Sequence, residues 1–214
     1  MPDARQPNEP AEPGPGPGPA RPAELVVLLA PDGRPVGEAD KAAVHGPSTP
    51  LHLAFSCYAF DRRGRLLVTR RSRAKRTFPG VWTNTCCGHP APGERVAGAV
   101  RRRLRDELGL VPADLRLVLP DFAYRASAGG VEENERCPVF LCRVDAEPTP
   151  DPSEVDGWHW RSWPDFLADA ASAGSGLSPW SRLQAVQLDA EGHVARFLRE
   201  GLPARPAPRA THQA

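Results

Sequence analysis

Short apolar runs alternate along the chain with polar, turn-forming stretches, a pattern that predicts a mixture of strands and helices. Residues 24–30 form an apolar run that ends at the turn Pro31-Asp32-Gly33. Residues 51–60 and 65–70 are strand-like and flank Arg63-Gly64, which predicts a hairpin. Over residues 95–108 the period changes. Val96, Val100, Leu104 and Leu108 recur at every fourth position, the buried stripe of a helix that Gly109 stops. Strands are predicted at 115–124, 136–144 and 158–160, and a short helix at 164–171. Ser178-Pro179 then opens a longer helix, with Ser as N-cap and Pro at the first helical position. Leu183, Val186, Ala190, Val194 and Phe197 supply its apolar face, and Gly201 ends it. Together these elements predict one domain of mixed strands and helices over residues 23–201. Residues 1–22 and 202–214 are rich in Pro, Gly and Ala and bury too little apolar surface to offset the loss of chain entropy, so they are read as disordered tails.

Composition narrows the function. The formal net charge is +1, so no global field recruits nucleic acid or an anionic membrane. No apolar run approaches the roughly 20 residues of a membrane helix, and the N-terminus lacks a secretory pattern. A cytoplasmic protein is expected. Cys57, Cys86, Cys87, Cys137 and Cys142 are odd in number and contain no Cys-x-x-Cys pair, against both a disulfide framework and a cysteine-rich zinc site. Among the 27 basic residues only Lys41 and Lys75 are lysines. Retention of a lysine in so Arg-biased a chain points either to chance or to a place that needs its compact charge.

Four constellations can carry chemistry. Cys87 and His89 stand two apart in WTNTCCGHP, so an extended backbone there points both side chains to one side. Taken alone, such a pair also describes a loop with a buried thiol. Glu133 and Glu135 are likewise two apart, ahead of an apolar run, and at a strand start they would share a face. Like charges so close call for a cation or a shared proton, unless they are a solvated acidic turn. His45 and His52 lie at the entry to the strand that begins at Leu51. With His89 and the two carboxylates they make a plausible octahedral nitrogen and oxygen site for Mg, Mn or Zn. Last, Arg103 and Glu107 are one helical turn apart on the edge of the apolar stripe. They form either a simple ion pair or part of a ligand cavity.

The stretch from Gly88 through Glu94, Arg102 and Glu107 to Gly109-Leu110 resembles the Nudix box, the loop–helix–loop that holds a metal against a diphosphate. Arg103 stands where the box has a glutamate, and Asp106 where it has another acid, which weighs against diphosphate hydrolysis. The segments LHLAFS, LLVTRR, PGVWTNTCCGHP, RDELGL, YRA, ENERCPVF and SPW resemble, in order, the type 1 isopentenyl-diphosphate isomerases. That resemblance implies an α/β fold of the α+β kind, a Nudix-type mixed β-sheet sandwiched by helices. It implies Cys87 and Glu135 as the catalytic acid/base pair. Tyr124 would hydrogen-bond Glu135, and Trp180 would lie beside the hydrocarbon. It also implies His45, His52, His89, Glu133 and Glu135 as ligands of a tightly held Mn2+, Mg2+ or Zn2+. A second Mg2+ would sit on the diphosphate at Glu107 and the Cys87 region, with Lys41, Arg71, Lys75 and Arg103 contacting the phosphates. The implied reaction interconverts isopentenyl and dimethylallyl diphosphate. It would be carried out by a monomer with a small prenyl diphosphate as its partner and no nucleic acid or membrane. The competing expectation is a Nudix diphosphohydrolase acting on a nucleotide or prenyl diphosphate.

Overall fold

The computed structural model describes residues 24–201 except residue 173, so the two predicted tails lie outside the described residues. The N-terminal hairpin is β1 (Leu25–Leu29) and β2 (Pro35–Asp40), followed by one turn of helix, α1 (Lys41–Val44). Then come β3 (His52–Leu53), β4 (Phe55–Phe60), β5 (Leu66–Arg71), β6 (Trp82–Thr83) and β7 (Cys86–Gly88). Helix α2 (Val96–Leu108) precedes β8 (Asp114–Leu119), β9 (Ala123–Ala128), β10 (Val131–Arg136), β11 (Val139–Arg143) and β12 (Val155–Arg161). The chain finishes with α3 (Trp163–Ala171), α4 (Pro179–Ala190) and α5 (His193–Arg199).

Two mixed sheets result. One has the order β2-β1-β3-β10-β9, and the other β12-β5-β4-β11-β8, with β6 on β5 and β7 on β4. Strands β3 and β10 pair in parallel, as do β4 and β11. Strand β4 is buried at every position, which fits its place at the centre of its sheet with both faces covered. Its Phe55, Cys57 and Ala59 face the cluster built on Val100, Leu104 and Leu108 of α2. Its Tyr58 and Phe60 face Trp163, Phe166, Leu188, Val194 and Phe197 of α3, α4 and α5. A mixed sheet therefore lies between helices, as expected.

Several boundaries differ from the sequence reading. The run 115–124 is two strands in different sheets, because Pro120, which has no N–H to donate, ends β8. The run 136–144 is likewise divided at Cys137-Pro138, and the acidic pair lies inside β10 rather than at a strand start. The helix predicted from 178 to 201 breaks at Gly192, whose φ is +67°. Leu183 and Val186 are each 53% exposed, and α4 instead buries Trp180, Ser181, Gln184, Ala185 and Leu188. The apolar period misleads there because the buried face satisfies a polar network. Strands β2, β6 and β7 and helix α1 carried no clear periodic signal.

Helix α2 stops as the glycine predicts. Gly109 has φ +65° and its N–H bonds the Arg105 carbonyl. A Cβ there would fall 2.1 Å from Thr149 Oγ1, whereas at Gly93, φ +76°, nothing stands within 4 Å. Gly93→Ala should therefore lose only the roughly 1–2 kcal/mol of a left-handed residue, and Gly109→Ala about 2–4 kcal/mol with the clash added. Urea denaturation at neutral pH measures both, and equal losses would refute the packing argument.

Candidate active site

Strand register builds the first part of the site. His52 on β3 lies opposite Glu135 on β10, and alternation along β10 puts Glu133 on the same side as Glu135. Asp40 caps α1 by accepting from the Ala42 N–H at 2.7 Å, and His45 ends that turn in an extended conformation. His89 directly follows β7. His45 Nδ1 donates to the Lys41 carbonyl at 3.1 Å, and His52 Nδ1 to the Pro50 carbonyl at 2.9 Å. Each bond fixes the tautomer and leaves a lone pair on Nε2.

These lone pairs converge. His89 Nε2 is 3.2 Å from both His52 Nε2 and Glu135 Oε1. His45, His52, His89 and Glu135 each bring a ligand atom within 4.8 Å of the others. His45 Nε2 and Glu133 Oε2 are 3.0 Å apart, yet neither makes a well-angled hydrogen bond, so both are buried without one. Three imidazole nitrogens and two carboxylates crowded together, with His45 Nε2 and Glu133 Oε2 left without a hydrogen bond, fit a divalent cation. Burial alone would raise the Glu135 carboxyl, but the hydrogen bonds and charge of His52 and His89 outweigh it and hold it low. Burial lowers His89. Burial also opposes the charged form of His52, but its bond to Glu135 prevails and raises it.

The second part is the strap β7, which pairs with β4 so that Cys87 lies opposite Ser56. Cys86 points into the core beside α2, and Cys87 is half-buried at the cavity. Burial pushes the Cys87 thiol up to about 11, against its hydrogen bond with Ser56 and the charge of Arg71. Glu135 faces the same cavity. Tyr124 is the register partner of Glu135 on β9. The expected hydrogen bond between them is not formed among the described residues, and the Tyr124 ring instead packs at 5.8 Å from Trp180. Trp180 is anchored through its Nε1–H to Asn84 Oδ1 at 3.2 Å and by the ring of Phe78, the one non-glycine residue with positive φ among those described.

Cations line the rest of the cavity, which holds about 470 Å3. Lys41 Nζ pairs with Glu24 at 2.6 Å. Arg71 donates to the Thr77 carbonyl and its Cζ stands 5.7 Å over the Trp180 ring. Lys75 pairs with Glu154, and burial pushes it down to about 8, with Arg71 and Arg103 adding to the fall. The Glu107 carboxylate works in the opposite sense. Arg103 bonds Glu107 at 2.6 Å through Nε and reaches Glu154 at 3.2 Å. Arg103 and Glu107 thus form an ion pair and also line the cavity. Gly88 makes room for this, because a Cβ there would press at 3.2 Å on Arg103 and the Phe55 ring.

Every site residue named from the sequence borders this cavity except His52, which is fully buried behind it in contact with His89. Sequence reasoning missed Glu154, Ser56, Asn84 and Gln184. Asn84 lay within the WTNTCCGHP stretch, whereas Glu154 sits in the loop before β12 with no motif to mark it. No helix among the described residues is long and apolar enough to cross a membrane.

Comparison with known proteins agrees with this architecture. The solved structure of a Deinococcus radiodurans protein superposes with a TM-score of 0.56 at 21% identity, covering 84% of this chain and all of that one. The MutT protein of Methanosarcina mazei gives 0.54 at 22% identity, over 67% and 96% of the two chains. At such identity these show the fold. The NUDIX domain profile matches residues 50–181. The isopentenyl-diphosphate Delta-isomerase of Mycolicibacterium vanbaalenii is 60% identical over 171 residues, 79% of this chain and 94% of the relative. That of Frankia alni is 56% identical over 180 residues, 84% and 91% of the two chains. The chain belongs to the NUDIX domain proteins and, within them, to the isopentenyl-diphosphate Delta-isomerase family.

A divalent ion bound by the folded state alone must stabilise it. After chelator treatment, excess Mn2+ should raise the thermal midpoint by about 5–10 °C. In His89→Ala the rise should vanish together with the bound ion in elemental analysis. An unchanged rise in that variant would exclude the cluster as the metal site.

Proposed function

We infer that this protein is an isopentenyl-diphosphate Delta-isomerase, which moves a C=C bond in a five-carbon prenyl diphosphate by removing one proton and adding another. The observation that carries this is the pairing of Cys87 and Glu135 on one cavity with opposite protonation. At neutral pH burial keeps the thiol protonated, and the histidines keep the carboxyl ionised. Such a pair can give a proton at one carbon and take one at another. The two exchange roles when the reaction runs backward.

A tertiary carbocation links the two transfers. The Trp180 face already accepts the positive charge of Arg71 at 5.7 Å, and stabilisation of a desolvated cation by such a ring is on the order of 2 kcal/mol. Lys41, Arg71, Lys75 and Arg103 bind and orient the diphosphate, and the buried walls of the cavity keep water from the cation. Tyr124 packs beside Trp180 and Glu135 at the hydrocarbon end. We assign His45, His52, His89, Glu133 and Glu135 to Mn2+, Mg2+ or Zn2+, and Glu107, near Cys87, to a Mg2+ that arrives with the substrate. When bound, these ions fix the geometry of Glu135 and neutralise the diphosphate. We also propose a monomer that works in a reducing cytoplasm, in which all five cysteines stay free thiols.

The test is incubation with isopentenyl diphosphate and Mg2+ in D2O. The transferred protons exchange with solvent between turnovers, so deuterium should enter the allylic product without phosphate release. Phosphate release without deuterium would establish a diphosphohydrolase instead. Cys87→Ala should lower kcat roughly 10²–10⁴-fold with its melting curve retained, and normal turnover by that variant would refute the assigned pair.

A further inference from the structure

Behind Cys87 lies a hydrogen-bonded chain that the reaction described so far does not use. Ser56, Tyr58, Asn84 and Gln184 are all fully buried. Asn84 Nδ2 donates to the carbonyls of Cys57 and Cys86 at 3.0 and 3.1 Å, which fixes the orientation of its amide. Its Oδ1 is therefore only an acceptor. It takes bonds from Trp180 Nε1 at 3.2 Å, Thr83 Oγ1 at 2.9 Å and the Cys87 thiol at 3.3 Å. On the other side of the sulfur, Ser56 Oγ lies 3.4 Å from Cys87 Sγ and 3.4 Å from Cys137 Sγ. Tyr58 donates to Gln184 Oε1 at 2.9 Å, and Gln184 Nε2 donates to Ser56 Oγ at 3.0 Å. Ser56 thus accepts from Gln184 and keeps its own hydrogen for one of the two sulfurs.

The Cys87 sulfur consequently sits between a fixed acceptor and a rotatable donor. Asn84 suits the thiol, because it accepts the S–H. It cannot serve the deprotonated sulfur, whose charge it would repel. A buried anion without a donor costs far more than a neutral group in the same place. We propose that Ser56 is a positioning residue for the isomerisation: held by Gln184, it turns its hydroxyl from Cys137 to Cys87 and donates to that sulfur whenever the sulfur lacks its proton.

The proposal rests on the isomerase reading, in which each cycle empties and refills the sulfur. When the thiol is the donor, its S–H bond breaks and the sulfur keeps the electron pair. The π pair of the alkene forms the new C–H bond and leaves the cation at the tertiary carbon. Glu135 then takes a proton from the far carbon, whose C–H pair becomes the new double bond. In the reverse direction the sulfur starts empty and is refilled. Either way the anionic sulfur appears once per turnover, and Ser56 is the neutral donor next to it.

The experiment measures kcat and KM for Ser56→Ala, Ser56→Thr and Ser56→Val, with melting curves and bound metal for each. Ser56→Ala should lose roughly 10- to 100-fold in kcat, the worth of a hydrogen bond to a charged group, with KM within about twofold. Ser56→Thr keeps the hydroxyl and should recover most of the loss. Ser56→Val has the shape of Thr without the hydroxyl and should behave like Ala, so the Thr/Val pair decides the matter if the alanine variant does not fold. Wild-type kcat in Ser56→Ala, equal rates in Thr and Val, or a loss confined to KM would each overturn the proposal. These outcomes leave the function intact, because that reading fails only if the unmodified chain puts no deuterium into the substrate.

Discussion

The site depends on one continuous parallel ladder that runs through both sheets. His52 lies opposite Glu135, Ser56 opposite Val139 and Phe60 opposite Arg143, all in a single unbroken register. Between the two strand pairs the ladder continues through the bonds from Ala54 N to the Arg136 carbonyl and from Ser56 N to the Pro138 carbonyl. One end places the histidine and carboxylate groups. The other presents Ser56 to Cys87 on the strap β7. The histidine–carboxylate cluster and the thiol are thus two stations on the same pair of chain segments. Because strand side chains alternate, a slip of one residue would turn Glu133 and Glu135 out of the cluster together. Parallel pairing at such sequence separation is slow to form, and β4 is buried at every position once it has formed.

How much of this the sequence reveals depends on the range of each constraint. Spacing by two or four residues is local, so Cys87 with His89, Glu133 with Glu135, and Arg103 with Glu107 could be read as pairs. The stripe of α2 and its stop at Gly109 were equally local. Family resemblance then supplied the long-range grouping that spacing cannot. What stayed hidden depends on tertiary partners alone. Glu154 gains meaning only because β12 brings its loop to Lys75 and Arg103. Ser181 and Gln184 look like surface residues, and Leu183 and Val186 like core, until Tyr58 and Ser56 are placed under α4. Apolar periodicity reads burial only where burial is apolar. Pro120 and Pro138 mark strand breaks in retrospect, but a proline within an apolar run does not say that the chain leaves for another sheet.

Under the proposed function, the cationic end of the cavity is what holds the diphosphate uncleaved. Each cation is already occupied: Lys41 by Glu24, Lys75 by Glu154, Arg103 by Glu107 and Glu154, and Arg71 by Thr77. Unpaired, such half-buried charges would be costly, so these partners keep the cradle assembled before substrate arrives. Binding a diphosphate then exchanges one set of anions for another, and the affinity is a difference between the two. Arg103 occupies the helix position at which a hydrolytic box has a carboxylate. The proposed proton chemistry is left to the other end of the cavity, where Cys87, Glu135 and the aromatic walls of Tyr124 and Trp180 meet.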